Sequence, residues 1–343
     1  MLKWMIGLTV FASTLCGLSI DSKPTSVIRA SAESGLDRPE GLTFSPSGDL
    51  IAVANSLANT ITFYKRIEAG VYETTPAYTI QGEESWLNYP HDLSFSRDGT
   101  FLAVANRSGN AITLYRKNLE KNQFENTPFA MIQGRYTHIS APDAVRFSPT
   151  DNLLAVANLL SNTVTLYRYH QNRFFSMPIQ VIRHPILQVP DGIDFSKDGQ
   201  WLAVTSHDAH AVAIFKQTSH GKYDAVPMQI IQGEETHFTY PHSLSFHPQT
   251  NVLAVSCSQG RQNVHLFVPE AGVFPNAPEF SMEVLEMYDA STIHLIEHLW
   301  QEGGVKGVAF SPDGKSIAVT QNLCQDMLKL PYPVGVLAIY PVD

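Results

Sequence analysis

The stretch EGLTFSPSGDLIAVAN, residues 40–55, carries the signals that decide the fold. Two short apolar runs flank Ser-Pro-Ser-Gly. The proline presets φ for the first central position of a turn, and the glycine takes the φ > 0 position that closes a bulged hairpin. The second run ends in Ala-Val-Ala-Asn, whose alternation of small and β-branched residues suits a strand packed on both faces. The frame recurs as HDLSFSRDGT (91–100), DAVRFSPTDN (143–152), DGIDFSKDGQ (191–200), HSLSFHPQTN (242–251) and KGVAFSPDGK (306–315). Its phenylalanines, Phe44, Phe95, Phe147, Phe195, Phe246 and Phe310, stand 51, 52, 48, 51 and 64 residues apart. A period near fifty with several β segments per unit means propeller blades.

Each unit resolves into four strands. The hairpin supplies two, the second reading LIAVAN, FLAVAN, LLAVAN, WLAVTS, VLAVSC and SIAVTQ. A turn bearing Asn59, Asn110, Asn162 or His210 leads to the third: TITFYK, AITLYR, TVTLYR, AVAIFK. Asparagine suits that turn because it tolerates the left-handed conformation. The fourth reads PAYTIQG (76–82), PFAMIQG (128–134), PIQVIRH (178–184), PMQIIQG (227–233) and PEFSMEV (278–284), its leading proline tolerated at an unpaired sheet edge. The sixth unit stops after its third strand, VLAIYPV (336–342). PTSVIRA, residues 24–30, has the fourth-strand pattern and supplies the missing piece. The expected fold is all-β: one six-bladed propeller of four-stranded antiparallel blades over residues 20–343. A strand from the N-terminal end closes the last blade, and the ring removes the open edges of a linear array.

The chain's 343 residues suffice for two ordinary domains or one large all-β domain. A formal net charge of -9 and the lack of any basic run argue against nucleic acid, which needs clustered Lys and Arg. They favour a small ligand, a cation or a basic partner, or serve solubility alone. Residues 1–19 differ from the rest: Lys3 gives a positive start, Met5 to Leu18 is uncharged and apolar, and Gly17-Leu18-Ser19 is a small-x-small cleavage signal. That is the layout of a secretory signal peptide, too short for a comfortable span, so the protein is expected to be exported without a transmembrane domain. A retained anchor is the alternative. Lipidation at Cys16 is disfavoured by the leucine before it. Cys257 and Cys324 lie in register on neighbouring blades, either bridged or free.

The recurring Phe-Ser-Pro-Asp-Gly turn and Ala-Val-Ala-Asn strand end resemble YVTN-type and lactonase-like propeller repeats of the WD40-like superfamily, along essentially all of residues 20–343. The Trp-Asp and Gly-His pairs of WD40 proper are absent. The resemblance implies the fold and leaves chemistry open, because this architecture hosts binders and enzymes alike.

Where each innermost strand starts, one residue per blade rings the channel: Glu40, His91, Asp143, Asp191, His242 and Lys306. Six-fold geometry sets His91 opposite His242, Glu40 opposite Asp191 and Asp143 opposite Lys306. Three carboxylates and two imidazoles converging on a pore mouth suit a divalent cation (Ca, Mn or Zn), with Glu40, Asp143 and Asp191 as the candidate metal ligands, or acid/base work with Asp191 as the candidate catalytic group. The plainer alternative is that all are turn residues solvated at a wet mouth. A second ring, Asn55, Asn106, Asn158, Ser206, Cys257 and Gln321, stands further out; its asparagines are ligand candidates or turn formers. The near-duplicate loops GEESWLNYPH (82–91) and GEETHFTYPH (233–242) bring Trp86, Tyr89, Phe238 and Tyr240 with Glu83, Glu84, Glu234 and Glu235. Such letters suit a cationic or sugar-like ligand or a protein partner, or else packing between blades. The long last connection, residues 284–304, reads as a short surface cap, since His294-Leu-Ile-Glu-His298 is not the zinc-protease pattern.

Two functions follow. One is a binding or scaffold module that takes a ligand or protein on the channel face. The alternative is a metal-dependent lactonase-like hydrolase at the channel mouth. Glu40 in Pro-Glu-Gly and Asp191 in Pro-Asp-Gly are similar to metal-ligand positions of gluconolactonase-type six-bladed propellers. Where that family places asparagines, this chain has His91 and Asp143.

Overall fold

In the computed structural model, residues 18–170, 172–219, 221–260, 263–284, 304–322 and 335–343 are described. Their strands form six small antiparallel sheets, the six blades of a propeller. Blade 1 contains Pro39–Phe44, Leu50–Asn55, Thr60–Glu68 and Tyr78–Ile80 from the axis outward, and blades 2 to 5 repeat this order from Pro90, Pro142, Pro190 and Pro241. Blade 6 contains Val305–Phe310, Ser316–Gln321 and Val336–Pro341, with Ser26–Arg29 as its outer strand. Ser26 pairs with Ile339 and Arg29 with Val336, so the ring is sealed by chain from the opposite end. The pairing runs further than the repeat pattern indicates. Ile20 bridges Val342, and Ser19 and Asp343 exchange backbone hydrogen bonds at 3.0 Å.

The hairpin turns form for the stated reason. Gly48, Gly99, Gly199 and Gly314 have φ of 70–73°, and in blade 2 the Ser96 hydroxyl and Asp98 carboxylate cap the backbone N–H groups of Phe101 and Thr100. Apolar second and third strands then pack blade against blade, giving six contiguous core clusters. In four blades the long third strand also carries a two-residue strand, such as Val71–Tyr72, at its outer end; the repeat pattern contains no signal for it.

Asn59, Asn110, Asn162 and His210 do have left-handed φ, 49–54°. Each also accepts a backbone N–H from the loop entering the next blade: Tyr89 at 2.6 Å, Ala141 at 2.8 Å, Val189 at 2.9 Å and Tyr240 at 3.2 Å. These four donor loops, with Arg38, hold the residue before an innermost-strand proline at φ 48–56°. Proline disfavours the helical basin for its predecessor, so this conformation needs outside support. The latch on the N–H supplies it, together with a bond to the carbonyl: Arg107 N–H to Tyr89 at 3.0 Å, His207 N–H to Val189 at 3.1 Å. Residues 1–17 of the signal segment, the 284–304 connection apart from its first and last residues, and Cys324 lie outside the described residues; Cys257 is buried and its thiol is pushed up to about 12 by that burial. Among the described residues no helix is long and apolar enough to cross a membrane.

Candidate functional site

Each innermost strand starts with a β-bulge. In blade 1, Pro39 pairs with Asn55 but Leu42 with Val53, which leaves one residue too many on the inner strand. Blades 2 to 6 repeat the shift. A bulge re-aims the side chain it carries, and here that side chain is the ring residue. The next residues are Gly41, Asp92, Ala144, Gly192, Ser243 and Gly307. A Cβ on Gly41 would lie 2.7 Å from the Cα of Asp92, and one on Gly192 equally close to the Cα of Ser243. Adjacent blades therefore touch through backbone, and the channel is narrow.

That narrowness overturns the picture of a wet mouth. Glu40, His91, Asp143, Asp191 and His242 are 3%, 3%, 0%, 7% and 8% exposed, because the bulge turns them into a constriction and not toward solvent. His91, Asp143, Asp191 and His242 line a cavity of about 10 Å³, near the ~10–15 Å³ a single water requires. His91 and His242 do face one another, rings stacked with centroids 5.3 Å apart. Glu40 Oε2 lies 3.8 Å from His91 Nε2 and 3.9 Å from His242 Nε2, and His242 Nε2 is 3.6 Å from Asp191 Oδ2. Two groups therefore have metal-ligating atoms mutually within 4.8 Å: Glu40–His91–His242 and His91–Asp143–Asp191. Glu40, Asp143 and Asp191 together do not form one among the described residues. Of the expected all-carboxylate set, Asp143 and Asp191 come together with His91, while Glu40 groups with the two histidines.

Burial leaves four carboxylate oxygens, Glu40 Oε2, Asp191 Oδ1 and both of Asp143, with no hydrogen-bond donor. Burying an ionised carboxylate without donors is costly. The Asp143 carboxyl is accordingly raised well above its ordinary range by burial and by the Asp191 charge, and burial raises Asp191 also. His91 is pushed down to about 4 by burial, against the pull of Glu40, and His242 is lowered by burial and by Lys306. Both imidazoles are neutral near pH 7. Compensating cations come from outside the repeat frame: Arg107 Nε is 3.2 Å from Asp143 Oδ1, and Arg38 Nε is 3.5 Å from Glu40 Oε1. Sequence reasoning missed both. Arg38 precedes Pro39 and Arg107 follows the second strand of blade 2, at positions whose neighbours in the repeat vary freely.

The backbone behind the ring is fixed by hydroxyls in blades 4 to 6. Thr205, Ser256 and Thr320 donate to the carbonyls of His242, Lys306 and Glu40 in the next blade, the first two at 3.0 and 2.8 Å. The same hydroxyls accept the N–H groups of Gly192, Ser243 and Gly307. Ala54, Ala105 and Ala157 occupy this position in blades 1 to 3, so the signal was an Ala-to-Thr/Ser change within LAVAN. Asn55, Asn106 and Asn158 are corrected from ligand candidates to pins. Their Oδ1 atoms accept the N–H groups of Asp37, Asn88 and Ser140 at 3.0–3.1 Å. Their amides donate to Thr62, Thr113 and Thr165, and all three are fully buried. In the duplicate loops, Phe238 is core, Tyr89 and Tyr240 are half-buried against the rim, and Trp86 is 60% exposed. Their four glutamates are exposed.

Below the ring, Arg146 lines a wider cavity of about 290 Å³ at the other end. Its guanidinium donates to the Ile193 and Leu93 carbonyls and lies 3.5 Å from Asp92 and 3.6 Å from Asp194.

A family profile described as "Lactonase, 7-bladed beta-propeller" matches residues 68–174, from the outer part of blade 1 into blade 3. The described sheets of this chain number six. No protein with a curated description matches the chain. Among solved structures, the RRP9 WD40 repeats align at 13% identity and TM-score 0.61, over 95% of this chain and 100% of that one. A functionally unknown protein from Desulfotomaculum acetoxidans aligns at 12% and 0.57, over 85% and 84%. A candidate 6-phosphogluconolactonase from Bacteroides uniformis aligns at 16% and 0.54, over 71% and 70%. At these identities the likeness is one of fold.

Proposed function

We propose that this protein is a binding module, exported from the cell, whose channel mouth captures a small cationic ligand while the surrounding face meets its partner. One observation carries the reading: Asp143 and Asp191 line a cavity of atomic size with buried oxygens that no hydrogen bond satisfies, and Glu40 holds another such oxygen against the His91 and His242 rings of the same lining. A positive ligand relieves the mutual repulsion of such carboxylates. The exposed side chains of Leu57, Trp86, Tyr136 and Leu160, all on loops of the mouth face, give a partner apolar anchors around that cavity.

Metal-assisted hydrolysis of a lactone, with Asp191 activating water, is the second reading. The partial lactonase match and the raised Asp191 carboxyl favour it. The volume weighs against it, since a space of about 10 Å³ has no room for a substrate ring beside the ion. Thermal melts against divalent ions and small ammonium compounds test the main reading. At least one cation should raise Tm by mass action, and Glu40→Gln should remove the rise. Turnover of simple aldonolactones that depends on an added divalent ion would reverse the order of the two.

A further inference from the structure

The two candidate groups share His91, and its hydrogen bonding decides between them. His91 Nδ1 lies 3.0 Å from the Asp143 carbonyl oxygen, which can only accept. Nδ1 therefore carries the proton of the neutral ring, and Nε2 presents a lone pair. Nδ1 is thus unavailable to the His91–Asp143–Asp191 group, whose Asp143 already has Arg107 beside it. Nε2 faces Glu40 Oε2, and Oε2 has no donor of its own. His242 Nε2 faces the same oxygen from a 3.9 Å separation, too long for a hydrogen bond. His91 Nε2 and Glu40 Oε2 thus converge with no donor between them, and His242 Nε2 joins them as a third ligand atom when its ring proton sits on Nδ1.

We propose that this group, Glu40 Oε2 with the Nε2 atoms of His91 and His242, is a binding site for one transition-metal ion of the zinc class. The inference rests on the reading of the mouth as a cation site and names its occupant. Two imidazoles and one carboxylate suit zinc and its first-row neighbours; calcium and magnesium prefer all-oxygen shells. With edges of 3.8 and 3.9 Å and a third no longer than 4.8 Å, the centre lies no more than about 2.5 Å from each atom. Zinc bonds of about 2.0–2.1 Å need each side chain to close by only a few tenths of an ångström. The outer partners are already placed. His91 donates its second ring N–H to a carbonyl, the usual second-shell bond of a metal-bound histidine. Arg38 occupies Glu40 on its other oxygen, and the Thr320 and Thr205 hydroxyls hold the carbonyls of Glu40 and His242. This set differs from the gluconolactonase-like one, since both histidines belong to it and Asp191 does not.

The full chain, purified and stripped with a chelator, is the material for the test. Zn²⁺, Ca²⁺ and Mg²⁺ are added separately while Tm and bound metal are measured, and Co²⁺ serves as an optical probe. One zinc per chain should bind and raise Tm, calcium and magnesium should not, and Co²⁺ should give visible bands of a site with nitrogen ligands. Glu40→Gln and His242→Gln should each weaken zinc binding at least as much as the roughly 10–100-fold that outer partners carry. Should either variant fail to fold, the Co²⁺ spectrum of the parent protein still reports the nitrogen donors. If calcium stabilises the parent as well as zinc does, or zinc binds His242→Gln unchanged, the proposed ligand set is wrong while the mouth remains a cation site. If no metal ion binds and only an ammonium compound raises Tm, the metal is excluded and the cation reading stands. If nothing cationic raises Tm, both fall.

Discussion

His247 stands where the other five hairpin turns have serine: Ser45, Ser96, Ser148, Ser196 and Ser311. The ring does the serine's work and adds a tie. Its Nδ1 accepts the N–H groups of Gln249 and Thr250, both at 3.2 Å, and its Nε2 donates to the Gly314 carbonyl of blade 6 at 3.2 Å. A proton on Nδ1 would break the turn. Burial, opposed by the bond to Gly314, accordingly lowers the histidine below its ordinary value. Lowering means that the unfolded chain takes the proton first. The group's contribution is complete above a pH of about 6.5 and is lost as pH falls toward the depressed folded value. Each tenfold drop in proton affinity on folding corresponds to about 1.4 kcal/mol of that contribution. His247→Ser restores the turn of the other blades and lacks this loss. Urea melts of the two proteins from pH 7.5 to 4.5 should show parent stability falling relative to the variant; parallel curves would remove His247 from the acid response.

The outer strand of blade 6 shows how far an element can be read from its letters. Residues 24–30 copy the fourth-strand pattern, so closure by Ser26–Arg29 was legible. The pairing of residues 19–21 was not, because Ser-Ile-Asp carries no repeat signal and forms only when the C-terminal strand is present. Ile20 is nonetheless 4% exposed and belongs to the blade 6 core. The cleavage signal points to a processed N-terminus between Ser19 and Lys23, and the pairing makes the two ends of that interval unequal. A protein starting at Lys23 loses the paired bonds of Ser19 with Asp343 and that of Asp21 with Pro341, each about 0.5–1.5 kcal/mol. It also loses the buried isoleucine, about 1.5–3 kcal/mol. Chains starting at Ser19 and at Lys23 should therefore melt several degrees apart, the longer one higher. Equal Tm values would mean that residues 19–21 add nothing to closure.

Across the whole ring, one residue per repeat was enough to locate Glu40, His91, Asp143, Asp191, His242 and Lys306, since the frame fixes where each innermost strand begins. The burial of the first five was not legible, because it depends on glycine contacts between blades that lie fifty residues apart. Nor was Arg146, visible in DAVRF but without a partner in the linear chain. In the ring its guanidinium ties blade 3 to blades 2 and 4 at once through Leu93, Ile193, Asp92 and Asp194. Asp92 also accepts the Val145 N–H at 3.1 Å and Asp194 that of Phe246 at 2.9 Å, so the two carboxylates are pinned and cannot turn to solvent. Arg146→Met keeps the bulk and removes the charge, leaving two low-exposure carboxylates without their cation. Breaking a buried pair from one side costs about 3–5 kcal/mol, whereas replacing every member by neutral groups is often neutral or stabilising. Urea unfolding should therefore show Arg146→Met strongly destabilised and the triple variant Arg146→Met, Asp92→Asn, Asp194→Asn recovering most of that loss. A single variant as stable as the parent would mean that the guanidinium fills space without carrying charge. A triple variant no better than the single would place its value in the carbonyl bonds to Leu93 and Ile193.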